Sequence, residues 1–191
     1  MDLVGKHVLF LGSSVTYGSA SGGVSFVEYL AESMGLFACK EAVSGTVMPA
    51  LRPNSYVERL RALDPSQAFD LLVCQLSTND ATKGIPQEAT LDAVAEIVAL
   101  ARSRYGCSVV FYTSPKFPNT RYGELVDALH SLQPTMGFAV LDLWNDAEQD
   151  RLTEEERRRW MKDPIHPTAE GYKQLWAPRF ENFLKNLNLE D

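Results

Sequence analysis

The sequence is short of cysteine, of positive charge, of histidine and of long apolar runs, and each shortage removes a class of protein. Its three cysteines, Cys39, Cys74 and Cys107, are odd in number, and Cys74 and Cys107 lie inside the apolar runs LLVCQL and CSVVFY. A thiol in such a run packs as a small hydrophobe, so no disulfide framework is expected. Lys and Arg total 18 against 25 Asp and Glu, a formal net charge of -7, with a pI near 5.0. Phosphate backbones and anionic membrane surfaces call for clustered positive charge, so neither nucleic acid nor a membrane is an expected partner. The one basic run, Arg157-Arg158-Arg159, follows Glu154-Glu155-Glu156. Glu154 thus faces Arg158, and Glu155 faces Arg159, at i,i+4 in the manner of a solvated helix face. No stretch approaches the ~20 apolar residues that span a bilayer. MDLVGKHVLFLGSS lacks a basic segment leading into a long apolar one with a cleavage site, which makes the cytoplasm the expected compartment.

What is present describes an ordinary globular chain: 191 residues, 45% apolar and 23% charged. That length suits one domain over 1–191, which buries roughly 70% of its unfolded surface and needs no disulfide, metal or cofactor for stability. Five short apolar runs read as strands: His7 to Leu11, Phe37 to Val43, Phe69 to Leu76, Ser108 to Thr113 and Phe138 to Leu143. Each is nearly continuously apolar, as strands covered on both faces are.

Helical segments alternate with them. Val24 to Met34 stops at Gly35, and Ser55 to Leu63 follows Asn54 as its cap. A third helix opens at Pro86 and runs to Tyr105, with Gly106 beyond it, and a fourth covers Gly123 to Leu132. Thr153 and Glu156 make a capping box for a fifth. A last helix after Pro167, with Thr168 as its cap, places Tyr172, Leu175, Trp176, Phe180, Phe183, Leu184 and Leu187 on one face. The alternation predicts an α/β fold, a sandwich around a five-stranded, mostly parallel sheet.

In open parallel sheets ligands gather beyond the carboxyl ends of the strands. Four segments stand there or nearby: Gly12-Ser13-Ser14-Val15-Thr16-Tyr17-Gly18, Ser44-Gly45-Thr46, Ser77-Thr78-Asn79-Asp80, and Asp163-Pro164-Ile165-His166-Pro167. The first fits neither G-x-G-x-x-G nor G-x-x-x-x-G-K-[ST], since Ser stands at position 14 and no Lys follows Gly18, so a nucleotide-binding turn is set aside. No G-x-S-x-G elbow exists either. Of the three histidines, His7 begins a strand and His130 lies in a helix, both structural positions. His166 sits in a loop between two prolines, three residues after Asp163. In that arrangement Asp163 accepts from one ring nitrogen and the other takes a proton from Ser14. Gly45 and Asn79 are placed to supply donors to a developing oxyanion. Each feature has a plainer alternative: Asp163 as a helix cap, His166 as a surface residue, and Gly45 and Asn79 as turn formers. Lys83, Lys116 and Arg121 lie on loops that could edge the site.

Taken together and in this order, the four segments resemble the SGNH hydrolases, the GDSL esterase and lipase family. Gly12-Ser13-Ser14-Val15-Thr16 resembles its G-D-S-[IL]-T block, Gly45 its second-block glycine, Ser77-Thr78-Asn79-Asp80 its G-x-N-D block, and Asp163 to His166 its D-x-x-H block. The resemblance implies a flavodoxin-like three-layer α/β/α fold and a Ser14-His166-Asp163 triad. It also implies an oxyanion hole from the Ser14 N–H, the Gly45 N–H and the Asn79 side chain. Ser13 stands where the family has Asp and Ser77 where it has Gly. The implied activity is hydrolysis of small or soluble carboxylic esters, acetylated sugars among them. Acyl transfer or thioester cleavage by the same triad is an alternative, and so is a non-catalytic carbohydrate- or protein-binding module.

Overall fold

The apolar runs form one sheet in the computed structural model, which describes residues 1–187. β1 (His7–Gly12), β2 (Phe37–Ala42), β3 (Leu71–Gln75), β4 (Ser108–Tyr112) and β5 (Ala139–Leu141) lie in the order β2-β1-β3-β4-β5. Every neighbouring pair is parallel. This is the flavodoxin-like doubly wound order, and the three-layer α/β/α expectation holds.

The layers follow from the alternation of side chains along a strand. Leu9 and Leu11 of β1 enter one core with Tyr56, Leu60, Val94, Ile97 and Leu125. Val8 and Phe10 enter the other, with Phe26, Leu30, Tyr172, Trp176 and Phe180. The first core is closed by α3 (Tyr56–Ala62), α5 (Gln87–Tyr105) and α6 (Thr120–Met136), the second by α2 (Phe26–Met34) and the last helical segment. Phe26 stacks on Phe180 with ring centroids 4.0 Å apart, fixing α2 against that segment. The short helices α1 (Ser14–Tyr17), α4 (Thr78–Thr82), α7 (Ala147–Asp150) and α8 (Glu154–Trp160) lie among the connections. No helix among the described residues is long and apolar enough to cross a membrane.

Several boundaries differ from expectation for local reasons. β2 is an edge strand, not one covered on both faces, and Phe37 is 60% exposed. His7 is exposed as well and stacks on Phe37. The cap of α3 is Ser55, which forms a capping box with Glu58, while Asn54 takes a positive φ just before it. α2 likewise starts after Ser25, boxed with Glu28. The fourth helix is longer than 123–132, because Asn119 caps it and Pro134 does not end it before Gly137. The last helix is not continuous: α9 (Ala169–Gly171) passes through a π-type turn over Tyr172–Trp176 into α10 (Ala177–Lys185). There the Ala177 N–H reaches back five residues to the Tyr172 carbonyl, and Pro178, which follows, has no N–H to restore the α-helical pattern. The capping box of Thr153 and Glu156 is present as expected.

Candidate active site

β1 ends at Gly12 and α1 begins two residues on, so the Ser14 side chain leaves the sheet at its carboxyl edge. A side chain at position 12 is excluded: its Cβ would lie 1.7 Å from Thr16 Oγ1. That space lets Thr16 fold under the turn and donate to Gln75 Oε1 at 3.0 Å. With the hydroxyl proton so used, the Tyr112 phenol, 2.6 Å away, donates to Thr16. Gln75 Oε1 also accepts from the Ser13 N–H at 2.9 Å. The turn that carries Ser14 is therefore pinned from beneath by a buried amide oxygen on β3. From the other side, Tyr172 OH donates to the Val15 carbonyl at 2.7 Å.

Ser14, His166 and Asp163 stand in one hydrogen-bonded series. Ser14 Oγ is 2.8 Å from His166 Nε2, and His166 Nδ1 is 2.8 Å from Asp163 Oδ2. A carboxylate only accepts, so the ring proton sits on Nδ1 and Nε2 is free to accept from the serine. Asp163 also accepts the backbone N–H groups of Ile165 and His166, at 2.8 and 2.9 Å. Partial burial works to raise its carboxyl, but these amides and the imidazole outweigh it and hold the group below the usual carboxylate range. The loop is closed at its base by the Met161–Pro167 bridge and by the Lys162 N–H donating to the His166 carbonyl at 2.8 Å. Ser14 is buried, while His166 keeps a quarter of its side chain exposed.

Gly45 takes φ +78° in the turn after β2, a conformation that favours glycine. Lys83 Nζ donates to its carbonyl. Among the described residues neither the Gly45 nor the Ser14 N–H donates to a protein acceptor. Asn79, in α4, donates to the Thr46 carbonyl at 3.0 Å and to Ser13 Oγ at 3.3 Å. The three segments that follow β1, β2 and β3 are thus tied directly to one another. Ser13 and Ser77, both fully buried, join the same web: Ser13 Oγ reaches Gln75, and Ser77 Oγ the Thr46 carbonyl.

Three residues hold these turns from behind; Asp80 belongs to the Ser77–Asp80 segment, while Arg59 and Gln75 carry no functional signal of their own. Arg59 is 8% exposed and its guanidinium donates to the Gly12 carbonyl at 2.7 Å, the Glu41 carbonyl at 2.6 Å and the Asn54 carbonyl at 3.0 Å. In one fork it joins the ends of β1 and β2. Asp80 accepts from the Met48 N–H and from Thr90 Oγ1, anchoring the loop that carries Gly45 to α5. Burial raises its carboxyl, against the hydrogen bonds and the Lys83 charge that favour the anion. Gln75 is the third, buried with the strand that holds it, whereas for Arg59 and Asp80 the apolar pattern gives no reason to expect burial.

His130 is not brought to the site; it bonds Asp142 at 2.9 Å. Arg121 donates to the Ile85 carbonyl, and Lys116 pairs with Asp150. The three thiols are unpaired, and burial pushes Cys107 up to about 11. Among the described residues no group of three or more His, Cys, Asp or Glu side chains is arranged to hold a metal ion.

The profile of the GDSL-like Lipase/Acylhydrolase family matches residues 10–174. No curated protein matches the chain. Among solved structures, a Lactobacillus plantarum protein superposes with a TM-score of 0.82 at 17% identity, covering 97% of this chain and 99% of its own. A member of the lipolytic protein G-D-S-L family from Veillonella parvula gives 0.73 at 15% identity, covering 95% and 99%. An acetylxylan esterase from Geobacillus stearothermophilus gives 0.74 at 13% identity, covering 100% and 99%.

Proposed function

The chain belongs to the GDSL-like lipase/acylhydrolase family, and on that premise we propose that it is a serine esterase working through an acyl-enzyme on Ser14. The observation that carries the reading is the 2.8 Å contact between Ser14 Oγ and His166 Nε2, with Asp163 bonded to the opposite ring nitrogen.

In this reading His166 takes the serine proton as Ser14 attacks the ester carbonyl, and the imidazolium that forms is stabilised by ionised Asp163. The negative charge on the carbonyl oxygen is met by the unused N–H groups of Ser14 and Gly45 and by the Asn79 amide. His166 then passes its proton to the departing alcohol. Water, activated by the same imidazole, releases the acid. The side chain of Asn79 turns to its role from bonds to Ser13 and Thr46 that already hold it at the site. Small, soluble carboxylic esters are the proposed substrates, acetylated carbohydrates among them.

The test is a series of p-nitrophenyl esters of increasing acyl length beside acetylated sugars. The shortest acyl groups should turn over fastest, a fluorophosphonate should label Ser14, and Ser14→Ala should abolish both. Asn79→Ala should lower kcat by ~10²–10³, the typical loss of one oxyanion donor. Esterase activity surviving Ser14→Ala would falsify the assignment. Running the assay with competing alcohols and with thioesters separates hydrolysis from transfer and from thioester cleavage.

A further inference from the structure

Beside the triad is a pocket of about 330 Å³ whose wall includes Asp163 but neither Ser14 nor His166. Phe117, Leu152 and Met161 give it an apolar body, and Lys116, Arg157 and Arg158 line it too. Resting on the esterase reading, we infer that this pocket receives the leaving alcohol of the ester and selects one that joins a compact apolar body to an anionic group.

The direction comes from the proton. The carbonyl oxygen of a bound ester points to the N–H groups of Ser14 and Gly45, whereas the alcohol oxygen must collect its proton from His166. The alcohol therefore leaves on the histidine side. Asp163 is the residue shared by triad and pocket, one imidazole ring away from Ser14.

The charge preference comes from the balance of partners. In a protein of net charge -7, three cations converge on this one pocket. Lys116 is answered by Asp150 at 2.8 Å and Arg158 by Glu154 at 3.2 Å. Arg157 donates to the Gln149 carbonyl at 2.8 Å, and among the described residues it forms no ion pair with a carboxylate. The charge of Asp163 is taken up by two backbone amides and the imidazole. An anionic oxygen arriving in this pocket would satisfy Arg157. At this volume, near the lower end of small-molecule sites, a single ring fits and a long chain does not.

The test compares the acetyl esters of 4-hydroxybenzoate and 4-hydroxybenzamide, which share the acyl group and the ring and differ in charge. The wild-type protein should favour the carboxylate ester by about tenfold in kcat/KM, mainly through KM, with the ratio falling as salt is added. Arg157→Gln should bring the ratio close to one and leave the amide ester unchanged. Arg158→Gln, whose cation is already paired, should keep most of the preference. A wild-type ratio of one or less, or a ratio untouched by Arg157→Gln, overturns the inference while the esterase reading stands. If neither ester is cleaved above the Ser14→Ala background, both readings fall.

Discussion

Gly171 and Trp160 share a space that admits only one of them: a Cβ on Gly171 would lie 2.0 Å from the Trp160 carbonyl oxygen. That same carbonyl accepts the Thr168 N–H at 2.9 Å, so it is a fixed post of the loop that carries Asp163 and His166. Two effects compete in Gly171→Ala. Alanine favours a helix over glycine by ~1 kcal/mol, but overpacking against a backbone atom costs ~1–3 kcal/mol. The clash wins because a carbonyl cannot rotate away as a side chain can. Gly171→Ala should retain its secondary structure by circular dichroism, melt lower and lose more than about tenfold in kcat as His166 shifts from Ser14. Unchanged kinetics would show that the loop does not depend on this contact.

Arg59 binds three carbonyls from separate segments, those of Gly12, Glu41 and Asn54. Arg59→Met keeps most of the volume and strands all three acceptors, at ~1–3 kcal/mol for each that water cannot reach. A loss near 3 kcal/mol corresponds to a Tm fall of roughly 6–12 °C in a chain of this size. Arg59→Lys keeps the charge without the planar fork and should fall between the two. The Gly12 and Glu41 contacts set the spacing of the turns carrying Ser14 and Gly45, so kcat should drop more than KM rises in both variants.

Asp80 makes stability depend on pH in an unusual direction for an acid. Burial raises its carboxyl in the folded chain, so the folded state holds that proton more tightly than the unfolded one. Its contribution is fully present below the unfolded carboxylate pKa and is lost as pH rises through the raised folded value. Asp80→Asn preserves an oxygen for the Met48 N–H and removes the buried charge. Melting curves from pH 4 to pH 8 should show the variant more stable than the wild type at neutral pH, with the gap closing toward pH 4. A gap that widens on acidification would mean that the anion is the stabilising form.

The central strands were legible because two local patterns agree there: continuous apolar runs and turn residues at both ends. The four candidate segments were legible because each follows a strand or sits in the single loop with a histidine. The edge position of β2 was not, since Phe37 and Cys39 look as apolar in sequence as Leu9 and Leu72, and only pairing decides which strand lies outside. Pro134 within α6 was hidden for the opposite reason: tertiary packing of α6 overrides what the local residue favours. The π-type turn at Tyr172–Trp176 follows instead from Pro178, a local signal masked by the apolar periodicity around it. The hydrogen bonds of Arg59, Gln75 and Asp80 reach partners 47, 62 and 32 residues away, a distance over which no local pattern speaks. The Ser13 departure was visible, but its meaning was not. Its hydroxyl bridges Asn79 and Gln75, a place where a buried carboxylate would face an amide oxygen.

The hydroxyl of Ser14 and the ring of His166 are separated by 152 residues of chain, and the Tyr172 bond to Val15 spans 157. A ribosome therefore releases Ser14 long before it has made His166. Through most of synthesis the Ser14 hydroxyl has no His166 imidazole within reach. The Ser14–His166 contact can form only once residue 166 exists, and by then the chain has already made all five strands of the sheet.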